Sequence, residues 1–134
     1  MSANHAKILL IDDNEIDIIV NKKLIEIAMI TNMENVISFT GCNQILEYLD
    51  AHLDEMDNDQ VIVLMDIQMP ENDGFECVEK ILEYLEDKIK NFRIFMLTSS
   101  IDREDIKRAK SIPQIERVLE KPLDVYMLKT LINE

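Results

Sequence analysis

Short apolar runs alternate with longer amphipathic stretches along this chain. Lys7-Ile8-Leu9-Leu10-Ile11 is the first run, closed by Asp12-Asp13. From Glu15 to Ala28, Ile16, Ile19, Val20, Leu24 and Ile27 recur at helical spacing, which predicts a helix with that stripe as its apolar face. Val36-Ile37-Ser38-Phe39 reads as a second strand, and Ile45, Leu46, Leu49 and Leu53 mark a helix over Asn43–Leu53. Val61 to Met65 is a third apolar run, closed by Asp66. Phe75, Val78, Ile81, Leu82 and Leu85 then carry a third helix. Phe92 to Leu97, closed by Thr98, is the fourth strand. Asp102 to Lys110 follows as a weakly amphipathic helix with Asp102 as its N-cap. Glu116 to Glu120 is the fifth strand, closed by Lys121-Pro122, and Leu123 to Ile132 ends in a helix.

Five strand–helix units in alternation predict an α/β domain with a parallel sheet. The first, third and fourth strands are apolar on both faces, as required when helices cover both sides; the fifth is mixed and suits an edge. Crossover helices bring every C-terminal strand end to one side, where open α/β sheets bind ligands.

Composition narrows the classes. At 134 residues the chain is expected to be a single domain over 1–134, with its core in about 7–132. A formal charge of −13 argues against nucleic acid or an anionic membrane as partner. Gly41 and Gly74 are the only glycines, so no glycine-rich phosphate loop can be built. Cys42 and Cys77 read as buried free thiols in a reducing compartment; one disulfide between them can form, but nothing in the sequence points to it. No apolar run reaches a membrane span and Met1–Lys7 has no signal-peptide character, so a cytoplasmic location is expected. His5 and His52 lack partners at metal-ligand spacing, and Asp54 to Asp59 is expected to be a solvated loop.

The candidate chemistry lies in the residues that close the strands. Asp12, Asp13, Asp66, Thr98 and Lys121 are scattered in sequence, yet the topology gathers them at one edge. Three clustered carboxylates resist ionisation unless a cation joins them. Mg²⁺ prefers such oxygen donors and tolerates few of them, with phosphate completing its shell. Asp66, ending the most apolar strand, is the candidate nucleophile towards phosphorus. Lys121 would balance phosphoryl charge and Thr98 would hydrogen-bond a phosphoryl oxygen. Met69 to Gly74 reads as a turn, with Pro70 fixing φ and Asp73-Gly74 opening the third helix.

Four stretches carry a family resemblance: Ile11-Asp12-Asp13-Asn14; Leu64-Met65-Asp66-Ile67-Gln68-Met69-Pro70 with Asp73-Gly74; Met96-Leu97-Thr98-Ser99-Ser100; and Glu120-Lys121-Pro122. In this order, each at a predicted strand end, they resemble the receiver domain of bacterial two-component response regulators, of the stand-alone, chemotaxis-regulator-like kind. The resemblance implies a doubly wound, flavodoxin-like sheet of order 2-1-3-4-5 with five helices. It implies phosphorylation of Asp66 by a sensor histidine kinase or histidine phosphotransfer protein. Mg²⁺ would be held by Asp13, Asp66 and the backbone carbonyl of Gln68, and by Asp12 through water. Thr98 matches the switch hydroxyl and Lys121 the phosphate-contacting lysine, with Lys121-Pro122 as a cis peptide. Ser99 matches a position kept small, while Gln68 and Ser100 match positions that govern acyl-phosphate lifetime.

Val118 departs from the pattern, because the family often carries Tyr or Phe there, and the aromatic half of its switch is then missing. With 13 residues after Lys121, no output domain is expected, so the chain would signal through an unknown downstream protein or pass the phosphoryl group on in a relay. Ile106, Ala109 and Ile112 on the fourth helix are the expected partner surface. The chain is read as a phosphoacceptor rather than an enzyme. An aspartate-nucleophile phosphatase would place an acid two residues after Asp66, where Gln68 stands, and a pseudo-receiver would lack groups that this sequence has.

Overall fold

The computed structural model describes residues 6–56, 60–69, 73–86 and 91–133. Within them ten elements alternate: β1 (Lys7–Ile11), α1 (Glu15–Ile27), β2 (Val36–Phe39), α2 (Cys42–His52), β3 (Val61–Asp66), α3 (Gly74–Leu85), β4 (Phe92–Thr98), α4 (Arg103–Lys110), β5 (Ile115–Glu120) and α5 (Val125–Ile132). The strands form one sheet in the order β2-β1-β3-β4-β5, and every pairing is parallel. This is the doubly wound, flavodoxin-like order that the resemblance implies.

Alternation along the strands divides the core in two, because successive side chains point to opposite faces. Leu9, Ile11, Val63, Met65, Ile94 and Met96 face one side, where Ile45 and Leu49 of α2 and Phe75, Val78 and Ile81 of α3 cover them. Ile8, Leu10, Ile62, Leu64, Phe95 and Leu97 face the other side, under Ile18 and Ile25 of α1 and Leu128 and Leu131 of α5. β3, at the centre of the sheet, is buried throughout, whereas β5, at an edge, buries Ile115 and Leu119 and exposes Glu116, Arg117 and Glu120.

Register delivers the polar strand ends to one place. Ile11 pairs with Met65, so Asp12 and Asp66 follow side by side. Asp66 pairs with Leu97 and Thr98 with Glu120, which puts Thr98 and Lys121 one step further along the same edge. A register shift between Ile94 and Phe95 lies at the far end of β4, away from this edge.

Four expectations are corrected. The apolar stripe chosen for α1 is the wrong one: Ile18, Asn21 and Ile25 are buried. Ile16, Ile19 and Ile27 are 71%, 67% and 58% exposed, and Val20 is exposed as well. Apolar residues surround most of this helix, so spacing fits two stripes equally. The phase is set by the Asn14 cap, whose side chain accepts from the Ile16 and Asp17 amides, and by the sheet below.

Cys42 and Cys77, expected as separate thiols, are joined in a disulfide. They lie 35 residues apart in sequence, but α2 and α3 are neighbours on one face of the sheet. Their first turns meet there with a Cα–Cα distance of 5.7 Å, within disulfide reach. On α4, Ala109 and the following Ile112 are buried against the sheet, leaving Ile106 as the exposed member of the expected trio. Leu53–Met56, at the start of the acidic stretch, forms a 3-10 turn whose Met56 is buried in the core. Asp57 to Asp59 and Pro70 to Asn72 lie outside the described residues.

Candidate functional site

Each candidate side chain is set by the end of an element. β1 stops at Ile11, and Asp12 begins the turn into α1; its Oδ1 accepts from the Asn14 amide at 2.9 Å, and Asn14 in turn caps the helix. β3 stops at Asp66 because the chain must turn into α3. That turn is closed by the Gly74 amide donating to the Ile67 carbonyl at 2.8 Å. A side chain at position 74 would fall on the backbone carbonyl oxygen of Asp66 and within 2.9 Å of Met96 Cε, so only glycine lets α3 start this close to Asp66. Asp73 and Glu76 form a reciprocal capping box at the start of α3. At the end of β5 the Lys121-Pro122 peptide is cis, and the Lys121 amide donates to the Thr98 carbonyl at 2.8 Å.

Asp12, Asp13 and Asp66 each offer a carboxylate oxygen, and these oxygens lie within 4.8 Å of one another. The three hard oxygen donors fit a divalent cation, which would remove their mutual repulsion. Asp12 and Asp66 are buried, and Asp13 is exposed. The Lys121 ammonium stands among them, 2.8 Å from Asp12 Oδ2 and 3.2 Å from Asp66 Oδ1. Asp12, Asp13, Asp66 and Lys121 line one pocket together with Asn14, Asp17, Gln68 and Ser99.

Burial pushes the Asp66 carboxyl up to about 6; the charge of Asp12 adds to this, Lys121 opposes it, and Asp13 contributes last. At Lys121, burial disfavours the charge. Hydrogen bonds to Asp12 and Asp17, with the attraction of Asp66 and Asp12, outweigh it and hold the ammonium above the ordinary lysine range. The site therefore couples a carboxylate of raised proton affinity to a firmly protonated lysine, the pairing expected where charge is to be redistributed.

The structure thus brings together Asp12, Asp13, Asp66, Gln68, Ser99 and Lys121. Thr98 is buried at the same edge, but its hydroxyl is turned to the next residues: it donates to the Ser100 carbonyl at 3.2 Å and accepts from the Ser100 amide at 3.3 Å. Val118 lies apart, in a cleft of about 300 Å³ between α4 and β5, with Ile101, Ile106, Ala109 and Ile115. His52 stacks on Tyr48 and takes no part in the site.

Asp17 was not foreseen. It reaches Lys121 Nζ at 2.9 Å from the first turn of α1. In sequence, an acid in a first turn is ordinary complement to the helix dipole and carries no further signal. Its partner lies 104 residues away, so only the fold, which brings the residue after β5 to the first turn of α1, reveals the contact.

The comparisons with known proteins agree with this geometry. Residues 8–133 match the family model described as response regulator receiver domain. A two-component response regulator from Cytophaga hutchinsonii is 24% identical, with a TM-score of 0.86, covering 97% of this chain and 96% of that one. A response regulator receiver protein from Dyadobacter fermentans is 27% identical at a TM-score of 0.84, with 96% and 95% covered. The chemotaxis protein CheY4 of Vibrio cholerae is 25% identical at 0.70, with 96% and 97% covered. Fold, register and the match over 8–133 lead to one assignment: the chain belongs to the response regulator receiver domain family.

Proposed function

We propose that Asp66 accepts a phosphoryl group from a phosphohistidine of a sensor kinase or histidine phosphotransfer protein, and that the chain then signals by binding another protein. The observation that carries this reading is the trio of Asp12, Asp13 and Asp66 oxygens within 4.8 Å, with the Lys121 ammonium 3.2 Å from Asp66. Asp12, Asp13, Asp66 and the carbonyl of Gln68 are the groups that would hold Mg²⁺. When bound, the cation neutralises the clustered carboxylates and the charge of the incoming phosphoryl group.

In the transfer, an Asp66 carboxylate oxygen attacks phosphorus and a P–O bond forms. The donor's P–N bond breaks, and its electron pair returns to the imidazole, which takes a proton from solvent. Lys121 donates to a phosphoryl oxygen and offsets its charge. Thr98 is free to join at small cost, because the two bonds it gives up at Ser100 are long, 3.2 and 3.3 Å.

The exposed stripe Ile16, Ile19, Val20 and Ile27 on α1 adjoins the pocket through Asp17, and is the surface offered to the donor. Output is assigned to α4 and β5, where Val118 leaves the cleft open instead of filling it with an aromatic ring. Coupling then runs through Thr98 and the following loop alone. Among the described residues no helix is long and apolar enough to cross a membrane.

The test is incubation with Mg²⁺ and acetyl phosphate, followed by intact mass. Wild type gains one phosphoryl group, and the gain is lost in Asp66→Asn and on chelation. No gain in wild type would overturn the reading and leave a binding module that takes no phosphate. Continuous hydrolysis of small phosphate esters would instead make the chain a phosphatase.

A further inference from the structure

The Lys121 ammonium has three N–H donors, and each already faces a carboxylate: Asp12 at 2.8 Å, Asp17 at 2.9 Å and Asp66 at 3.2 Å. Asp12 and Asp66 belong to the trio that could hold a cation. Asp17 does not; it comes from α1 and reaches the pocket at the ammonium. Among the described residues Lys121 is the one base lining the pocket, beside four acids, Asp12, Asp13, Asp17 and Asp66. An arriving phosphoryl group brings more negative charge and needs the same donor.

The three contacts are not equal. Asp12 is fully buried and Asp66 nearly so, whereas the Asp17 side chain is 37% exposed. Water can replace Lys121 at Asp17, so this contact breaks at the smallest cost. Breaking it turns one N–H towards the phosphoryl oxygens while Asp12 still anchors the lysine.

We propose that Asp17 is a positioning residue that competes with the incoming phosphoryl group for Lys121 and so restrains phosphoryl uptake at Asp66. The proposal rests on Asp66 being the phosphoacceptor. It assigns Asp17 a role in setting the rate, not in the bond exchange itself. With acetyl phosphate as donor, the Asp66 oxygen forms the new P–O bond and acetate leaves with the electron pair of the old one. Asp17 touches neither.

The experiment titrates wild type, Asp17→Asn and Asp17→Glu with beryllofluoride at saturating Mg²⁺, following the Thr98 and Ser99 amides by NMR. In parallel, phosphorylation rates are measured against acetyl phosphate concentration. Asp17→Asn binds beryllofluoride about three- to fivefold tighter, the worth of a half-exposed ion pair, and lowers the KM for acetyl phosphate similarly with little change in the maximal rate. Asp17→Glu behaves as wild type. In a Lys121→Met background the Asp17→Asn gain disappears, since the residue acts through the lysine. Unchanged or weaker binding in Asp17→Asn overturns the proposal, as does a gain that persists without Lys121. Failure of wild type to bind beryllofluoride or take up phosphate defeats the phosphoacceptor reading itself.

Discussion

The two helices that follow the carboxylate-bearing strands are built in opposite ways. α3 follows Asp66 and buries Gly74, Phe75, Cys77, Val78, Ile81 and Leu85. It opens on a capping box, and Cys77 is bonded to α2. Asp73 at its start also pairs with Arg108 of α4 at 2.5 Å, and that guanidinium lies 4.7 Å above the Phe75 ring. α1 follows Asp12 and Asp13 and buries only Ile18, Asn21 and Ile25, with the Asn21 Nδ2 lacking a hydrogen-bond partner among the described residues. It spends four other branched residues on solvent. The contrast assigns different work to the two sides of the pocket. α3 is a fixed wall that holds the Asp66 backbone in place; α1 is an accessible wall with an apolar exterior beside the site entrance, and Asp17 stands on it.

This contrast can be broken most forcefully through α3. Reducing the Cys42–Cys77 bridge should lower unfolding stability by about 4 kcal/mol for a closed loop of this length, read from urea unfolding with and without dithiothreitol. Equal stability in both conditions would mean that the bridge constrains nothing. Gly74→Ala should cost about 2–3 kcal/mol, because the added methyl meets the backbone of Asp66, which cannot swing aside as a side chain would. On the proposed function it should slow phosphorylation as well, since Asp66 moves with that backbone.

A smaller effect tests the pocket between the two walls. In chelator, the folded Asp66 titrates near 6 against an ordinary 3.8, so the folded state holds the extra proton. The contribution of this group to stability is full below about pH 4 and is lost as pH rises to about 6. Asp66→Asn should therefore stabilise the metal-free protein by up to about 3 kcal/mol at pH 7.5 and change little at pH 4. A gain of the same size at both pH values would rule out this cause. The smallest effect belongs to α1: Ile19→Ser should leave stability within about 0.5 kcal/mol. The same substitution should weaken phosphorylation by a protein donor but not by acetyl phosphate. Equal slowing with both donors would remove α1 from donor docking.

How much of this was legible in the sequence differs between the same two helices. α3 could be located and oriented, though not its bond to α2, because its apolar residues occupy one stripe and Asp73-Gly74 marks its start. α1 could be located but not oriented. Branched residues lie all round it, so the choice of buried stripe fell to the cap at Asn14 and the packing on the sheet. The strand-end carboxylates were legible because parallel topology forces every strand's C-terminal end to one edge, wherever those residues lie in sequence.

The sequence by itself determined the alternation of elements, the parallel sheet and the gathering of Asp12, Asp13, Asp66 and Lys121. These depend on period, polarity and connectivity, which are local. Only the tertiary structure decided which side of α1 faces water, that Cys42 and Cys77 meet, and that Asp17 shares Lys121 with Asp12 and Asp66. Each of these joins elements distant in the chain through a contact a few ångströms long. No local pattern encodes such contacts; they follow from how the helices settle on the sheet.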